Sequence, residues 1–525
     1  MKTKKHPDIL LIVLDTLRAD RLSSYGYHRN TTPHLDAFAE EGVLYERAIS
    51  PGQWTIPSHA SLFTGEYPTT HMTTQIYDKH SEAQPTLAEM LKVHGYDTVG
   101  FCNNPLLGVV ANDLDRGFDA FYNYGGTFPE RPSIGDSRPR RTGKLAQRMV
   151  RLLRHMTQPV QDLFARSDFL LRLALHPRLV PLWRRYINFK GNSVQSVRDL
   201  VGYLQTRQRK GAERPLFAFV NLMETHLPFG PPRRFIRKFV PYYGHNREAR
   251  AFMRGYNHEH YRWMVPLQEP LTELQDRVIN DMYDAEVAYT DAMLRQLFAY
   301  LRQPEVRDNT MVIITSDHGE GMNNHDFVGH SLVAYDDLVR VPLVVRYPRL
   351  YPEGVRVSTP VSTRRVFHSA LEATALDPEA AFGDAPVDVA GLSLARSVNG
   401  EPDPEGGVVF AEAFTPHTLL TLMENDDPEA IEYYRCRSMR RAVYREQYKL
   451  IEVGDAPDEL FDVVRDPGEL VNLMDREPEV AEDLDAILRG FVTEAESRRP
   501  AELASAQVSL EGDLEERLRG LGYLG

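Results

Sequence analysis

Three groups of residues in this 525-residue sequence combine side chains that can hold a cation or attack an electrophile. Asp15 closes the apolar run "DILLIVLD", and Asp317 and His318 close another in "IITSDHGEG". Carboxylates and an imidazole at neighbouring strand ends can share one divalent ion, such as Mn²⁺, Mg²⁺, Ca²⁺ or Zn²⁺. An aspartate after a strand can equally cap a helix, but Asp-His-Gly-Glu crowds more polar groups onto one strand end than capping requires. The third group is "WTIPSHASLFTG", Trp54 to Gly65. Pro57 suits a first helical turn and Ser58 can cap nearby amides, so Thr55 is expected just ahead of a helix, "SHASLF". Amides there favour an anion. A threonine hydroxyl bound to a metal can ionise and attack phosphorus or sulfur; taken alone, it can also do no more than cap the helix.

The elements that must position these groups alternate. "DILLIVLD" is a continuous apolar run, as expected of a strand covered on both faces. "TPHLDAFAEEGV" reads as a helix with Thr32 as its cap, Pro33 in the first turn and Gly42 at the end. "TLAEMLKVHGY" is another helix, followed by the strand "DTVGFCNN". The strands "LFAFVNLM" and "TMVIITSD" flank a long helical pattern, "LQDRVINDMYDAEVAYTDAMLRQLFAYLRQ". Such βα alternation predicts an α/β fold with a mostly parallel sheet flanked by helices. Ligands of these folds bind at the carboxyl ends of strands. Asp15, Asn103 and Asn104, Glu224 and His226, and Asp317 and His318 all fall there.

Two segments interrupt the alternation. Residues 131–192 carry Arg138, Arg140, Arg141, Lys144, Arg148, Arg151, Arg154, Arg166, Arg172, Arg178, Arg184 and Arg185 against Asp162 and Asp168, with leucines and valines at helical spacing. This is either a helical cap with its arginines in water, or a basic surface over 137–190 for an anionic substrate, a polymer or peripheral membrane contact. A second insertion, 231–272, is rich in Tyr, His and Arg and is expected to line the cleft mouth or to pack against the cap. The catalytic domain is expected to span 1–354. The remainder, 355–525, changes to Pro, Ala, Gly and acidic residues with the short strands "GVVFAEAF", "RAVYREQYKLIEV" and "DELFDVV". That predicts a smaller α+β subdomain with an antiparallel sheet and a helical, acidic tail.

The net charge of −13 argues against a general nucleic-acid binder, which needs a basic face. Two cysteines, Cys102 and Cys436, have no metal spacing; two buried thiols are expected, with a single disulfide as the alternative. The run "ILLIVL" near the start is shorter than the apolar core of an export signal and ends in Asp15 with no small-residue cleavage site. No stretch approaches the roughly 20 apolar residues of a membrane span. A cytoplasmic location is the expectation.

The chain resembles the sulfatase family within the alkaline phosphatase superfamily. The resemblance is carried, in the family's order, by "VLDTLRADRLSSYGY", "TTPHLDAFAEEGVLYERA", "WTIPSHASLFTGEYP", "METHLPF", "YDAEVAYTDAMLRQL", "TSDHGEGMNNHDFVGHS", "VPLVV" and "YKLIEV…ELFDVVRDPGELVNL". It implies an alkaline phosphatase-like core. The family's loop has Cys or Ser, any residue, Pro, Ser, Arg, then Leu and Thr-Gly, and its Cys or Ser is oxidised to formylglycine. By this correspondence Thr55 takes the nucleophile position and His59 the arginine position. Asp15, Asp317 and His318 match metal-ligand positions, and Thr16 stands where a second aspartate is often found. His226 and His330 fall where the family holds the anionic oxygens, and His71 lies close to a family histidine.

Threonine carries a methyl group at its β-carbon, so oxidation would give a ketone and not the aldehyde; no formylglycine is expected. Nucleotide pyrophosphatase-type phosphodiesterases and phosphoglycerol or phosphoethanolamine transferases, related members of the superfamily, use a plain threonine. The resemblance therefore implies one divalent metal on Asp15, Thr16, Thr55, Asp317 and His318, lowering the pKa of the Thr55 hydroxyl. His226 and His330 would hold oxygens or protonate the leaving group, and His59, His71, Asn104 and His325 would contact substrate. A second metal on Glu224, His226 and His330 is the alternative use of those histidines. The expected activity is hydrolysis of a phosphodiester, phosphonate or related anionic ester, or phospho-transfer. The alternatives are a sulfatase with an unmodified threonine and a non-catalytic binder of anions or glycans.

Overall fold

The computed structural model describes residues 6–125, 131–132, 190–258, 263, 266–267, 269–330, 332–375 and 389–500. The arginines and lysine expected to form the basic insertion, and the C-terminal tail, lie outside the described residues. Fifteen strands are numbered in chain order among the described residues. They are β1 (Asp8–Leu14), β2 (Val43–Ile49), β3 (Asp97–Cys102), β4 (Ala120–Asn123), β5 (Leu216–Leu222), β6 (Thr310–Thr315), β7 (Gly321–Met322) and β8 (Val328–Gly329). β9 (Arg340–Arg346), β10 (Val355–Val357), β11 (Val361–Ser362), β12 (Val408–Ala413), β13 (Arg440–Arg445), β14 (Tyr448–Val453) and β15 (Ala456–Asp462) complete the set.

The large sheet runs β10-β2-β9-β6-β1-β5-β3-β4, with β11 also on β2. β1 is central and parallel to both β5 and β6; β9 is antiparallel to β2 and β6. The period of two explains why these strands are apolar throughout. Ile9, Leu11 and Val13 of β1, with Phe217 and Phe219 of β5, face one buried cluster; Leu10, Ile12 and Leu14, with Ala218 and Val220, face another. The first cluster is closed by the helices Thr55–Thr64, Leu87–Val93 and Arg365–Thr374, and the second by Ser193–Arg209 and Glu273–Leu301. Helix 87–93 starts with a capping box between Thr86 and Glu89, and helix 273–301 with one between Thr272 and Gln275. Thr32 occupies the cap position of helix Pro33–Ala39, but its hydroxyl donates to the Asp36 carboxylate at 2.9 Å and caps no amide.

Some expectations are corrected and others are met. β10 and β11 still pair with β2, so the large sheet passes the boundary expected at residue 354. "RAVYREQYKLIEV" is two strands, β13 and β14, because Glu446 takes a left-handed conformation (φ 53°) and turns the chain between them. The second insertion packs on the core: Phe235, Ile236, Tyr242, Tyr243 and Phe252 lie against the cluster that holds helix 273–301. Cys102 and Cys436 are buried and form no disulfide. No helix among the described residues is long and apolar enough to cross a membrane.

The antiparallel sheet β12-β13-β14-β15 is separate from the large one. One of its faces is covered by the helix Pro478–Ser497, through Leu484, Leu488 and Phe491. The other face meets Leu338 and Val339, which follow the site loop. Buried Lys449 of β14 fixes that junction, donating to Asp336 at 2.9 Å and Glu469 at 2.5 Å, while the Tyr444 hydroxyl donates to Asp336 at 2.7 Å.

Candidate active site

The carboxyl ends of β1, β5, β3 and β6 converge as the alternation predicts. Asp15 follows β1, Asn104 follows β3, and Asp317 and His318 follow β6. The ligand atoms of Asp15, Asp317 and His318 lie within 4.8 Å of one another, and all three residues are buried. Each is aimed by its neighbours. One Asp15 oxygen, Oδ2, accepts from the amides of Asn104 at 2.8 Å and Asn221 at 3.2 Å. Asp317 Oδ1 accepts from the backbone of Thr16 at 3.2 Å and of His318 at 3.0 Å. His318 Nδ1 donates to the Gly319 carbonyl at 2.9 Å, which turns the Nε2 lone pair toward the carboxylates. Asp15 Oδ1 and Asp317 Oδ2 are buried with no hydrogen-bond partner among the described residues.

These orphaned oxygens test the fit of a cation. Burial, then repulsion by Asp317, pushes the Asp15 carboxyl from 3.8 up to about 7. Burial raises Asp317 to about 7 as well. Two carboxylates held together with one oxygen each unpaired, beside an imidazole lone pair, form a donor set suited to one divalent ion. Among the described residues this is the one group of three such side chains that could hold a metal.

Thr55 opens the helix Thr55–Thr64, whose ten residues are all buried. The helix can be buried whole because its polar side chains bond inward. Ser58 Oγ donates to the Asp317 carbonyl at 2.5 Å, and the Thr64 hydroxyl donates to the Ala60 carbonyl at 2.8 Å. Gly65 ends it at φ 75°, where a Cβ would come within 2.6 Å of His368. Thr55 Oγ1 stands 3.5 Å from His318 Nε2 and 3.5 Å from the Asn104 amide. Both are long for hydrogen bonds.

The remaining expected residues divide. Thr16 sits at the metal group with φ 58°, but its hydroxyl donates to the Asp15 carbonyl at 2.7 Å; its contribution is the amide that orients Asp317. His226 and His330 are brought together, with ring centres 4.8 Å apart, and His330 is 4.5 Å from His318. Burial pulls His318 and His330 down to about 4, so both rings are neutral near pH 7. His59 reaches the site from below: its Nδ1 donates to the Thr55 carbonyl at 2.9 Å and lies 3.5 Å from Asp317 Oδ2. Burial lowers His59 to about 3, so this contact is no ion pair, and the ring packs edgewise on Phe63 and Phe219.

His71, expected to contact substrate, has both ring nitrogens engaged by the protein. Its Nδ1 accepts from the Thr73 amide at 3.0 Å and its Nε2 faces Ser61 Oγ at 3.0 Å, which uses both nitrogens. His325 stacks on Tyr335 with centroids 3.7 Å apart, toward the antiparallel sheet. Glu224 is not gathered with His226 and His330 into a second metal set. Its carbonyl accepts from Lys190 at 2.7 Å, and burial raises its carboxyl to about 7.

Three contributors escaped the sequence reading. Asn221 is the single polar residue in the strand "LFAFVNL", a visible signal once Asp15 is known to need a donor. Glu320 Oε1 is hydrogen-bonded to His330 Nδ1 at 2.8 Å, and burial raises its carboxyl to about 8. Lys190 ends the basic insertion and lies 3.4 Å from Glu286, near Glu224.

Known proteins place this geometry in context. The chain is similar to an uncharacterized sulfatase of Escherichia coli K12, 25% identical over 475 residues, covering 90% of this chain and 84% of that protein. It is 27% identical over 496 residues to an ulvan-active sulfatase of Formosa agariphila, covering 93% of this chain and 81% of the relative. Among solved structures, a phosphonate monoester hydrolase of Agrobacterium radiobacter shares the fold at TM-score 0.63 and 21% identity, over 93% of this chain and 96% of that one. The sulfatase family profile matches residues 7–376, and with its buried Asp-Asp-His group the chain belongs to the sulfatase family.

Proposed function

We propose that this chain is a metal-dependent hydrolase of phosphodiester, phosphonate or related anionic esters, working through a covalent intermediate on Thr55. The observation that carries the proposal is the position of Thr55 Oγ1, 3.5 Å from His318 Nε2 at the group formed with Asp15 and Asp317. A divalent ion (Mn, Ca, Mg or Zn) held by Asp15, Asp317 and His318 would supply positive charge for the ionised hydroxyl and for charge developing on the ester. Thr55 then attacks the central atom in line, and the leaving oxygen departs on the opposite side. His226 and His330 serve the non-bridging or leaving oxygens, and each such acid–base contribution is worth about 10²–10⁴-fold. The Thr55 ester is resolved by water, or by an alcohol where transfer competes.

Thr55 itself supports phosphorus over sulfur. A formylglycine hydrate expels sulfate by breaking its own C–O bond, whereas a threonine ester must be cut at the central atom. The fold shared with a phosphonate monoester hydrolase agrees with this reading. A second reading, sulfate ester hydrolysis by the unmodified threonine, draws on relatives named as sulfatases that align over most of both chains. Nitrophenyl sulfate, a nitrophenyl phosphate diester and a nitrophenyl phosphonate, assayed side by side with each divalent metal, separate the two. Diester or phosphonate turnover is expected to lead; sulfate turnover exceeding both refutes the proposal.

A further inference from the structure

We infer that Glu320 is a positioning residue for His330, holding that imidazole so that Nε2 is the atom offered to the leaving oxygen; the inference rests on the reaction proposed for Thr55. β7 and β8 form a two-residue antiparallel hairpin ladder in which Gly321 pairs with Gly329 and Met322 with Val328. Continuing that register by one residue sets Glu320 opposite His330. The close pairing needs glycine at its base. A Cβ on Gly321 would lie 2.7 Å from the Gly329 carbonyl oxygen, and Gly329 has φ 89°. The strand end is pinned from behind by buried Arg18, which donates to the Glu320 carbonyl at 3.0 Å and forms an ion pair with Asp337 at 2.5 Å.

The side chains then have little choice. His330 Nδ1 is 2.8 Å from Glu320 Oε1, and both residues are buried. The 2.8 Å contact commits Nδ1 to Glu320 whichever of the two atoms carries the proton, and so leaves Nε2 as the other hydrogen-bonding atom of the ring. His330 Nε2 has no hydrogen-bond partner among the described residues, and its ring sits beside those of His318 and His226. A carboxyl group behind a histidine that fixes the ring's orientation is the logic of the orienting member of a catalytic triad.

The proton inventory closes. In the first step the Thr55 oxygen bonds to phosphorus and its hydroxyl proton is lost to solvent, while the bond to the leaving oxygen breaks on the opposite side and that oxygen takes a proton from His330 Nε2, which the His330–Glu320 pair regains from water in the second step. In the second step water supplies the oxygen that bonds to phosphorus and gives a proton to His330 Nε2, the Thr55 ester bond breaks, and Thr55 regains a proton from solvent. No electron is gained or lost by the protein.

The test compares leaving groups in the metal-loaded enzyme. An alkoxide leaves poorly without a proton, whereas nitrophenolate hardly needs one. Glu320→Ala is expected to lower kcat for a methyl ester by about 10²-fold or more, and for the nitrophenyl ester by less than about tenfold. Glu320→Gln, whose amide oxygen still accepts from Nδ1, restores most of the methyl-ester rate. Adding His330→Ala to Glu320→Ala costs little more, because both remove one function. Equal losses for the two leaving groups, or losses that multiply, overturn the inference. A loss of folding would leave the wild-type chain to decide. Its imidazole ¹⁵N spectrum, assigned through His330→Asn, must show Nδ1 in a hydrogen bond that Glu320→Ala removes, and an Nδ1 unchanged by Glu320→Ala refutes the assignment. Thr55→Ala keeps the readings distinct: if it retains activity, the proposed function fails whatever Glu320 does.

Discussion

Replacing Asp15 by asparagine separates what the fold tolerates from what the reaction requires. Asp15 is fully buried and its carboxyl is raised from 3.8 to about 7, by desolvation first and the Asp317 charge second. The folded, cation-free chain therefore holds a proton that the unfolded chain has released between about pH 4 and 7. Stability falls as pH rises through that window and levels off above it. A rise of this size corresponds to about 4 kcal/mol. Burial imposes a similar penalty on Asp317, and because the charge of Asp317 raises Asp15 the two titrations are coupled and do not add in full. Asparagine removes the charge and keeps the shape. Its carbonyl oxygen can accept from Asn104 and Asn221 where Oδ2 does now, and its NH₂ turns toward Asp317. With chelator at pH 8, Asp15→Asn should raise the melting temperature by several degrees, an advantage that shrinks toward pH 5. Ester hydrolysis should vanish. Added Mn²⁺ or Zn²⁺ should stabilise the parent chain but not the variant. Thermal unfolding scans from pH 5 to 8, with and without chelator, read all of this. A variant less stable than the parent at pH 8 without metal would refute the electrostatic reasoning.

Asn104→Ala removes a 2.8 Å donor to Asp15 and should weaken metal affinity by about 10–100-fold, read by titration of activity against metal. His71→Ala loses two buried hydrogen bonds and should cost about 1–3 kcal/mol of stability, while kcat/KM per folded molecule stays near the parent value; a large fall there would return His71 to the substrate site. Lys449→Met leaves Asp336 and Glu469 buried without their cation and should cost about 3–5 kcal/mol in denaturant unfolding. A neutral outcome would show that the junction between the two sheets does not depend on that network.

The α/β core was legible because its strands carry apolar residues on both faces, and the polar residues closing them mark the ligand edge. Asp15, Asn104, Asp317 and His318 were found this way and Thr55 through its Pro-Ser loop, and the five lie together. Histidines were harder to assign, since an imidazole satisfied by protein and one aimed at a ligand look alike in sequence. His71 and His325 proved to be occupied by Ser61, Thr73 and Tyr335, choices made by tertiary packing. Glu320 was in view within "DHGEG", but its role depends on the β7–β8 register, which two-residue strands do not announce. The turn at Glu446 lacks the glycine, proline or asparagine that normally signals a hairpin, so β13 and β14 read as one strand. Asn221 was hidden by its apolar neighbours, and Lys190 by the basic insertion it terminates.

The most direct measurement is mass analysis of the Thr55 peptide after rapid quenching during turnover of a ³³P-labelled diester or phosphonate, with ³⁵S-labelled sulfate ester in parallel. The account predicts an unmodified threonine at rest and a labelled phosphorus-containing adduct on Thr55 during turnover, absent from Thr55→Ala. An adduct on another residue, an oxidised side chain at position 55, or label arriving only from the sulfate ester would contradict it.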